Sequence, residues 1–88
     1  MTIYERAIET YGKDMQLNVA IEEFSELTKE ICKYKRGEGN IEHIIEEMAD
    51  CQIMLSQLRI IFGIRLDDIS RIKWEKLERL AKRLEDVR

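Results

Sequence analysis

The chain has 88 residues, 38% of them charged, with a formal net charge of -3 at pH 7, no proline and only four glycines. This length allows a single domain, spanning 1–88, whose core is too small to give high stability by itself. The mixed, slightly acidic charge argues against a nucleic-acid partner, which usually meets a basic face. No apolar run approaches the ~18 residues of a membrane span, so we expect no nucleic acid and no membrane as partner.

Four helices are predicted, taken here in chain order. The residues TIYE at 2–5 match a capping box, in which the Thr and Glu side chains accept hydrogen bonds from each other's backbone N–H, and Gly12 ends this short first helix. Asp14 is the expected N-cap of a second helix, which runs to about Tyr34. The loop RGEGN follows at 36–40. So short a loop predicts that the second and third helices pack antiparallel.

Asn40 is the expected N-cap of the third helix, over about 41–62, and Gly63 supplies its C-terminal stop. A fourth helix begins at about Asp67, where Asp67 and Asp68 suit the positive end of the helix dipole. Little of the chain alternates apolar and polar residues as a strand would. The predicted fold class is therefore all-α, a small bundle of about four helices in which two long antiparallel helices carry the acidic motifs.

The two cysteines, Cys32 and Cys51, both fall inside helical patterns among apolar neighbours. They lack the spacing of metal ligands, and buried free thiols are typical of a reducing compartment. The N-terminus has no basic segment followed by an apolar run, as a signal peptide would. We therefore expect a cytoplasmic protein.

The apolar residues of the two long helices predict association. A helical wheel places Glu23, Glu26 and Glu30 of the second helix opposite its apolar face. That apolar face consists of Leu17, Ala20, Ile21, Phe24, Leu27 and Ile31. The third helix is apolar around nearly its whole circumference, which is more than the other helices can cover. We expect a second subunit to complete the bundle, as a homodimer or a dimer of dimers; the alternative is that several isoleucines are simply exposed.

Two acidic pairs, ExxE at 23–26 and ExxD at 47–50, indicate a metal site. Residues three apart share a helix face, so Glu23 with Glu26, and Glu47 with Asp50, can each direct two carboxylates to one point. Hard divalent cations such as Mg²⁺ prefer oxygen ligands. Because four converging carboxylates would repel one another, a cation would be expected between them. The alternative, in a chain this rich in charge, is a solvated and salt-bridged helix surface.

The two motifs together, IEEFSEL at 21–27 and IEEMAD at 45–50, resemble those of the MazG-like all-α nucleoside triphosphate pyrophosphohydrolases. The resemblance runs from about Gln16 to Arg83. It implies a helical bundle completed by oligomerisation, and an enzyme that hydrolyses an NTP or dNTP to NMP and pyrophosphate in a house-cleaning role. One departure is Ala49, which stands where the family often has Gly before the Asp.

The resemblance also implies a metal site. Glu23, Glu26, Glu47 and Asp50 would hold Mg²⁺, with Mn²⁺ as an alternative cofactor. Glu22, beside the ligands, would orient the attacking water or bind a second ion; the alternative is a plain surface acid.

The substrate-binding residues implied by the resemblance lie outside the acidic motifs. Lys76 and Arg79 of the fourth helix would bind the phosphates, and Gln16 would reach the base or sugar. Because Glu75 and Glu78 are interleaved with these cations, the alternative is a salt-bridged, solvated face. An exposed Gln16 without a role is the alternative for that residue.

Two other functions stay open. A non-catalytic helical module would use the acidic face for binding or oligomerisation, and it is favoured if the acids diverge into solvent. Phosphoribosyl-ATP pyrophosphohydrolases resemble this chain in fold and acidic pattern, but their second motif usually continues into Tyr-His, whereas Asp50 is followed here by Cys51 and Gln52. A di-iron bundle would need an ExxH motif, and the residue three before His43 is Asn40.

Overall fold

The structure, a computed structural model, describes residues 1–87. In that range it contains four helices, α1 (Ile3–Tyr11), α2 (Lys13–Lys35), α3 (Ile41–Ile61) and α4 (Leu66–Glu85), and no strand. The predicted all-α class is therefore confirmed. Over the same residues, no helix combines the length and the apolar character needed to cross a membrane.

The predicted capping box at the start of α1 is confirmed. The backbone N–H of Glu5 donates to Thr2 Oγ1 over 3.1 Å, and the backbone N–H of Thr2 donates to Glu5 Oε1 over 3.0 Å. The charged form of Glu5 accepts the hydrogen bond from the backbone N–H of Thr2, and this lowers the pKa of the Glu5 carboxyl. Local sequence therefore defines where α1 begins.

Caps also set both ends of α3. Asn40 Oδ1 accepts the backbone N–H of Glu42 over 2.8 Å, as expected of an N-cap. At the other end Gly63 has φ +64°, a left-handed conformation that glycine adopts without strain. The N–H of Ile64 then donates to the carbonyl of Arg59 over 2.9 Å, which closes the last turn.

The prediction that Asp14 caps α2 is wrong. α2 begins at Lys13, with Gly12 as its N-cap and no side-chain cap. Gly12 has φ +90°, so it turns the chain within one residue, and α1 and α2 are separated by that glycine alone. Asp14 lies in the first turn instead, where its negative charge suits the helix dipole.

α2 and α3 form the centre of the fold, packed side by side, and α1 contacts both. The Cys51 thiol donates to the backbone carbonyl of Glu23 over 3.5 Å, which defines the register of the two helices. The short connection at 36–40 makes them antiparallel, as predicted. The buried residues are few, and half of them are polar: Ala20, Cys51, Met54, Gln16, Glu30 and Gln57.

The face of α2 that packs coincides only in part with the predicted apolar face, of which Ala20 is buried and Leu17, Phe24 and Leu27 are half-buried. Ile21 and Ile31 are exposed, whereas Glu23 is half-buried and Glu30 is buried, 3.6 Å from Lys33 Nζ. The prediction that these two glutamates lie away from the core is therefore wrong. The helical wheel assumes that the most apolar face packs within the chain, but α3 packs on a face between the apolar and the acidic ones.

α4 stands apart from the other helices. It makes almost no contact with them and buries none of its residues. Its apolar side chains, including Ile69, Leu77 and Leu80, are exposed, and so is Trp74. As a result the radius of gyration is 16.4 Å, against about 12 Å for a compact domain of this length.

The two cysteines differ in environment. Both are free, and Cys51 is buried as predicted, but Cys32 is exposed, so its predicted burial is wrong. Burial raises the pKa of the Cys51 thiol, and the negative charges of Glu23, Glu47 and Asp50 raise it further. Cys51 therefore remains a neutral thiol beside the acidic motifs.

Candidate metal centre

α2 and α3 bring three of the four predicted metal ligands together. Glu23 from α2 meets Glu47 and Asp50 from α3, and each offers a carboxylate oxygen within 4.8 Å of the other two. We call these three residues the acidic cluster. All three are half-buried where the helices meet. Oxygens that share one Mg²⁺ at 2.0–2.1 Å lie about 3–4 Å apart, so the cluster is already close to the required spacing.

The charges of the acidic cluster are mutually unfavourable. Burial raises the pKa of Glu23, and the Asp50 carboxylate raises it further, by repulsion and by favouring the protonated form of Glu23 through hydrogen bonding. Loss of hydration likewise raises the pKa of Glu47, followed by the charges of Asp50, Glu26 and Glu30. Over residues 1–87, no Lys, Arg or His forms an ion pair with a member of the cluster. The protein therefore gathers negative charge here without neutralising it.

One oxygen of the acidic cluster has no partner. Glu47 Oε2 is shielded from solvent and has no hydrogen bond within the described part of the chain. Burying a carboxylate oxygen unpaired is unfavourable, and such groups are rare in native structures. A divalent cation between the three carboxylates would satisfy this oxygen, so the donor set fits a hard metal ion such as Mg²⁺.

The fourth predicted ligand, Glu26, lies at the edge of the site. It is exposed and outside the acidic cluster, although its charge still raises the pKa of Glu47. Glu22, the predicted water-orienting residue, is exposed as well. Sequence reasoning missed Glu30, which is buried and whose charge also acts on Glu47. Its position seven residues after Glu23, two helical turns on the same face, was the available signal.

The predicted phosphate-binding residues lie elsewhere in the single chain. Lys76 and Arg79 line a groove of about 480 Å³ on α4, together with Lys82 and Arg83. Neither forms an ion pair in residues 1–87, where Glu75 binds Arg71 instead, at 3.7 Å. Both cations are exposed to solvent, as the alternative of a solvated face expects, although the salt bridges expected there are absent at these two residues. Because α4 does not pack along α2 or α3, however, one chain does not bring them to the acidic cluster.

Gln16, the predicted base- or sugar-binding residue, is buried, which was not expected for a simple surface glutamine. It lies seven residues before Glu23, on the α2 face that meets α3. Gln57 of α3 lies seven residues after Asp50, and the register of the helices sets the two glutamines at the same end of the interface. Gln57 Oε1 is buried without a hydrogen-bond partner in the described chain. Gln16 is buried within one chain, and its contact with a base or sugar stays a prediction.

The fold and the site define a small all-α protein with a candidate carboxylate metal centre between two helices. A scan of protein-family models, a search of curated proteins and a search of solved structures each found no significant match to this chain.

Proposed function

We propose that the protein is a Mg²⁺-dependent nucleoside triphosphate pyrophosphohydrolase, which converts an NTP or dNTP to NMP and pyrophosphate in a cytoplasmic house-cleaning role. The observation that carries the proposal is the convergence of Glu23, Glu47 and Asp50, with Glu47 Oε2 buried and unpaired. Carboxylates arranged in this way are suited to a hard cation, Mg²⁺ or Mn²⁺, and such cations accompany triphosphates. We infer the reaction itself from the resemblance of the two acidic motifs to those of MazG-like enzymes.

In the proposed reaction the acidic cluster holds the metal, and Glu26 at its edge completes the ligand set. When bound, the metal neutralises phosphate oxygens and lowers the pKa of a coordinated water. Glu22, exposed beside Glu23, accepts a hydrogen bond from the attacking water and orients it. A new bond forms from the water oxygen to the α-phosphorus, and the bond from that phosphorus to the oxygen shared with the β-phosphorus breaks. Pyrophosphate leaves with that oxygen, and the proton released by the water passes to solvent.

The cations of α4 supply the second half of the proposed site. Lys76 and Arg79 have no ion pair in residues 1–87 and are therefore available to phosphate oxygens. Since α4 stands apart in one chain, they reach the acidic cluster only if α4 moves or if a second copy brings its own α4. We therefore include self-association, as a homodimer or a dimer of dimers, in the proposal.

A non-catalytic binding or oligomerisation module is the second candidate. The separation of α4 from the acidic cluster, together with its exposed apolar side chains, favours this alternative. A phosphoribosyl-ATP pyrophosphohydrolase is the third candidate, because the same metal site could bind the triphosphate of that substrate. The assay below separates the three.

The test is release of pyrophosphate from a panel of NTPs, dNTPs and phosphoribosyl-ATP, with Mg²⁺ and with EDTA. We expect metal-dependent release that falls by at least about 100-fold in Glu47→Gln, which keeps the shape of the side chain and removes its charge. The matched control is Glu46→Gln, which removes an exposed acid next in sequence and outside the cluster. The control should keep its activity.

The outcomes divide the candidates clearly. Metal-dependent release lost only in Glu47→Gln supports the proposal, and the preferred nucleotide distinguishes the two enzymes. No release from any nucleotide, by folded protein that nevertheless binds Mg²⁺ in a calorimetric titration, would overturn the catalytic proposal and leave a metal-binding module. Equal loss in both variants would show that net charge, and not the cluster, governs the activity.

A further inference from the structure

Lys33, near the end of α2, forms an ion pair with a buried acid. Its Nζ lies 3.6 Å from Glu30 Oε1, and the two residues are three apart on the helix. The side chain of Glu30 is 10% exposed and that of Lys33 is 36% exposed. The other ion pairs of residues 1–87 lie in the loop at 36–40 and along α4 with its N-cap. Lys33 is therefore the one cation of the described chain that pairs with an acid where α2 meets α3.

Glu30 places this ion pair close to the acidic cluster. The hydrogen bond from Cys51 to the carbonyl of Glu23 sets these two residues level across the antiparallel helices. Glu47, four residues before Cys51, is therefore level with about the fourth residue after Glu23. Glu30 lies three residues further along α2, about 4.5 Å at 1.5 Å per residue. The carboxylate of Glu30 is accordingly close enough for its charge to act on Glu47, and the Lys33 ammonium lies beside that carboxylate.

The direction of the Lys33 side chain brings its ammonium towards the site. Side chains on a helix lean towards its N-terminus, and the contact with Glu30, three residues earlier, shows that Lys33 does so. Lys33 also lies seven residues after Glu26, so at about 100° per residue the two occupy one side of α2. Glu26 is exposed at the edge of the acidic cluster. Lys33 therefore borders the side of the site that is open to solvent.

Building on the proposed function, we propose that Lys33 binds the phosphate chain of the substrate and that Glu30 positions Lys33 for this contact. A metal in the acidic cluster leaves charge on the phosphate oxygens that do not face it. The Lys33 ammonium has three donors and is partly open to solvent, so it can donate to such an oxygen while it stays beside Glu30. Because Lys76 and Arg79 lie on the separate α4, Lys33 is the cation that a single chain brings to the cluster.

The stability of the fold does not by itself account for this ion pair. Glu30 is buried next to an interface that already holds three other carboxylates. Taking a charged pair out of water costs about as much as the pair returns, and an apolar residue at such a position is often equally stable or better. A glutamate here is unfavourable for packing alone. A role in holding the Lys33 ammonium at the border of the site gives a reason for it.

The test is a calorimetric titration of the full chain with inorganic tripolyphosphate in the presence of Mg²⁺, which measures binding without turnover of a nucleotide. Lys33→Gln should weaken tripolyphosphate binding by at least about tenfold, because a charge-assisted hydrogen bond is lost. Lys33→Arg keeps the charge and should stay within about threefold of the wild type. The matched control is Lys35→Gln, which removes the same charge from an exposed residue of the same helical turn, about 200° around α2 from Lys33. The control should bind as the wild type does.

A second variant keeps the test decisive if Lys33→Gln fails to fold because Glu30 is left without a cation. Glu30→Gln combined with Lys33→Gln leaves no charge unpaired, and it should show the same loss of tripolyphosphate binding. Unchanged binding in these variants, an equal loss in Lys35→Gln, or a wild type that does not bind tripolyphosphate would each overturn the role of Lys33.

Pyrophosphate release from nucleotides separates this result from the proposed function. An active wild type whose kcat and KM are unchanged in Lys33→Gln would remove Lys33 from the site and leave the enzyme in place. Tripolyphosphate binding that depends on Lys33, in a protein that releases no pyrophosphate from any nucleotide, would support the Lys33 contact and overturn only the catalytic activity.

Discussion

Removing one charge from the acidic cluster should stabilise the metal-free protein and destabilise the metal-bound one. The change is Glu23→Gln, which keeps the size of the side chain and its hydrogen-bonding capacity. Without a cation, Glu23 faces two other carboxylates within 4.8 Å and has a raised pKa from burial and from Asp50. We therefore expect the variant to unfold at a higher temperature than the wild type in EDTA.

The size of the effect follows from the geometry. Two unit charges 4.8 Å apart, the upper limit for the carboxylate oxygens of the acidic cluster, repel by about 0.9 kcal/mol in water and about 3.5 kcal/mol at an effective dielectric constant of 20. Because Glu23 is partly exposed and can also bind a proton, solvent screening favours the lower figure. A gain of about 1 kcal/mol corresponds to a rise in Tm of about 4–8 °C for a domain of this length.

Mg²⁺ should reverse the order of the two Tm values, so that the wild type unfolds at a higher temperature than Glu23→Gln. A ligand at 100 times its dissociation constant stabilises the folded state by about 2.7 kcal/mol, so the Tm of the wild type should rise by about 10 °C or more. The variant, with one ligand fewer, should respond much less. The assay is thermal unfolding followed by circular dichroism, at one fixed protein concentration because association affects Tm.

The control for this experiment is Glu22→Gln, an exposed neighbour outside the acidic cluster, which should leave the Tm in EDTA unchanged. A fall in Tm of Glu23→Gln in EDTA would refute the reasoning, because it would show that the charged carboxylate has a favourable partner in the folded protein. A wild type whose Tm does not respond to Mg²⁺ or Mn²⁺ would refute the metal site itself.

Three further predictions follow from the structure. Folding raises the pKa of Glu23 and Glu47 above 4.5. The protonated side chains therefore contribute to stability below pH 4.5, and this contribution is lost as pH rises through the raised pKa values. The rise in Tm caused by Mg²⁺ should therefore be larger at pH 7.5 than at pH 5, and an equal rise at both would contradict this. Lys76→Gln and Arg79→Gln should each raise the KM for nucleotide by about tenfold, because a charge-assisted hydrogen bond to phosphate is lost; steady-state kinetics measures this, and an unchanged KM would remove these residues from the site. Gly63→Ala should lower Tm by about 4–8 °C, because φ +64° costs a residue with a Cβ about 1 kcal/mol although no atom lies within 4 Å; an unchanged Tm in thermal unfolding would argue against that conformation.

The sequence determined the local features of this protein. The capping box at Thr2 and Glu5, the N-cap at Asn40 and the glycine stop at Gly63 were all predicted, because each depends on hydrogen bonds between residues a few positions apart. The pairing of Glu47 with Asp50 on one face of α3 is likewise a consequence of helical spacing. Gly12 was harder to interpret, since one glycine with positive φ both ends α1 and begins α2.

Only the tertiary structure decided which faces meet. A helical wheel ranks the faces of one helix, but the face that packs depends on the partner helix and on the surfaces left for a further chain. For this reason Glu30 is buried while Ile21 is exposed, and Glu26 lies at the edge of the cluster that Glu23 joins. α4 makes almost no contact with the other helices, and this separation keeps Lys76 away from that cluster. Contacts between distant residues leave no short-range signal in a single sequence, so these features became visible only in three dimensions.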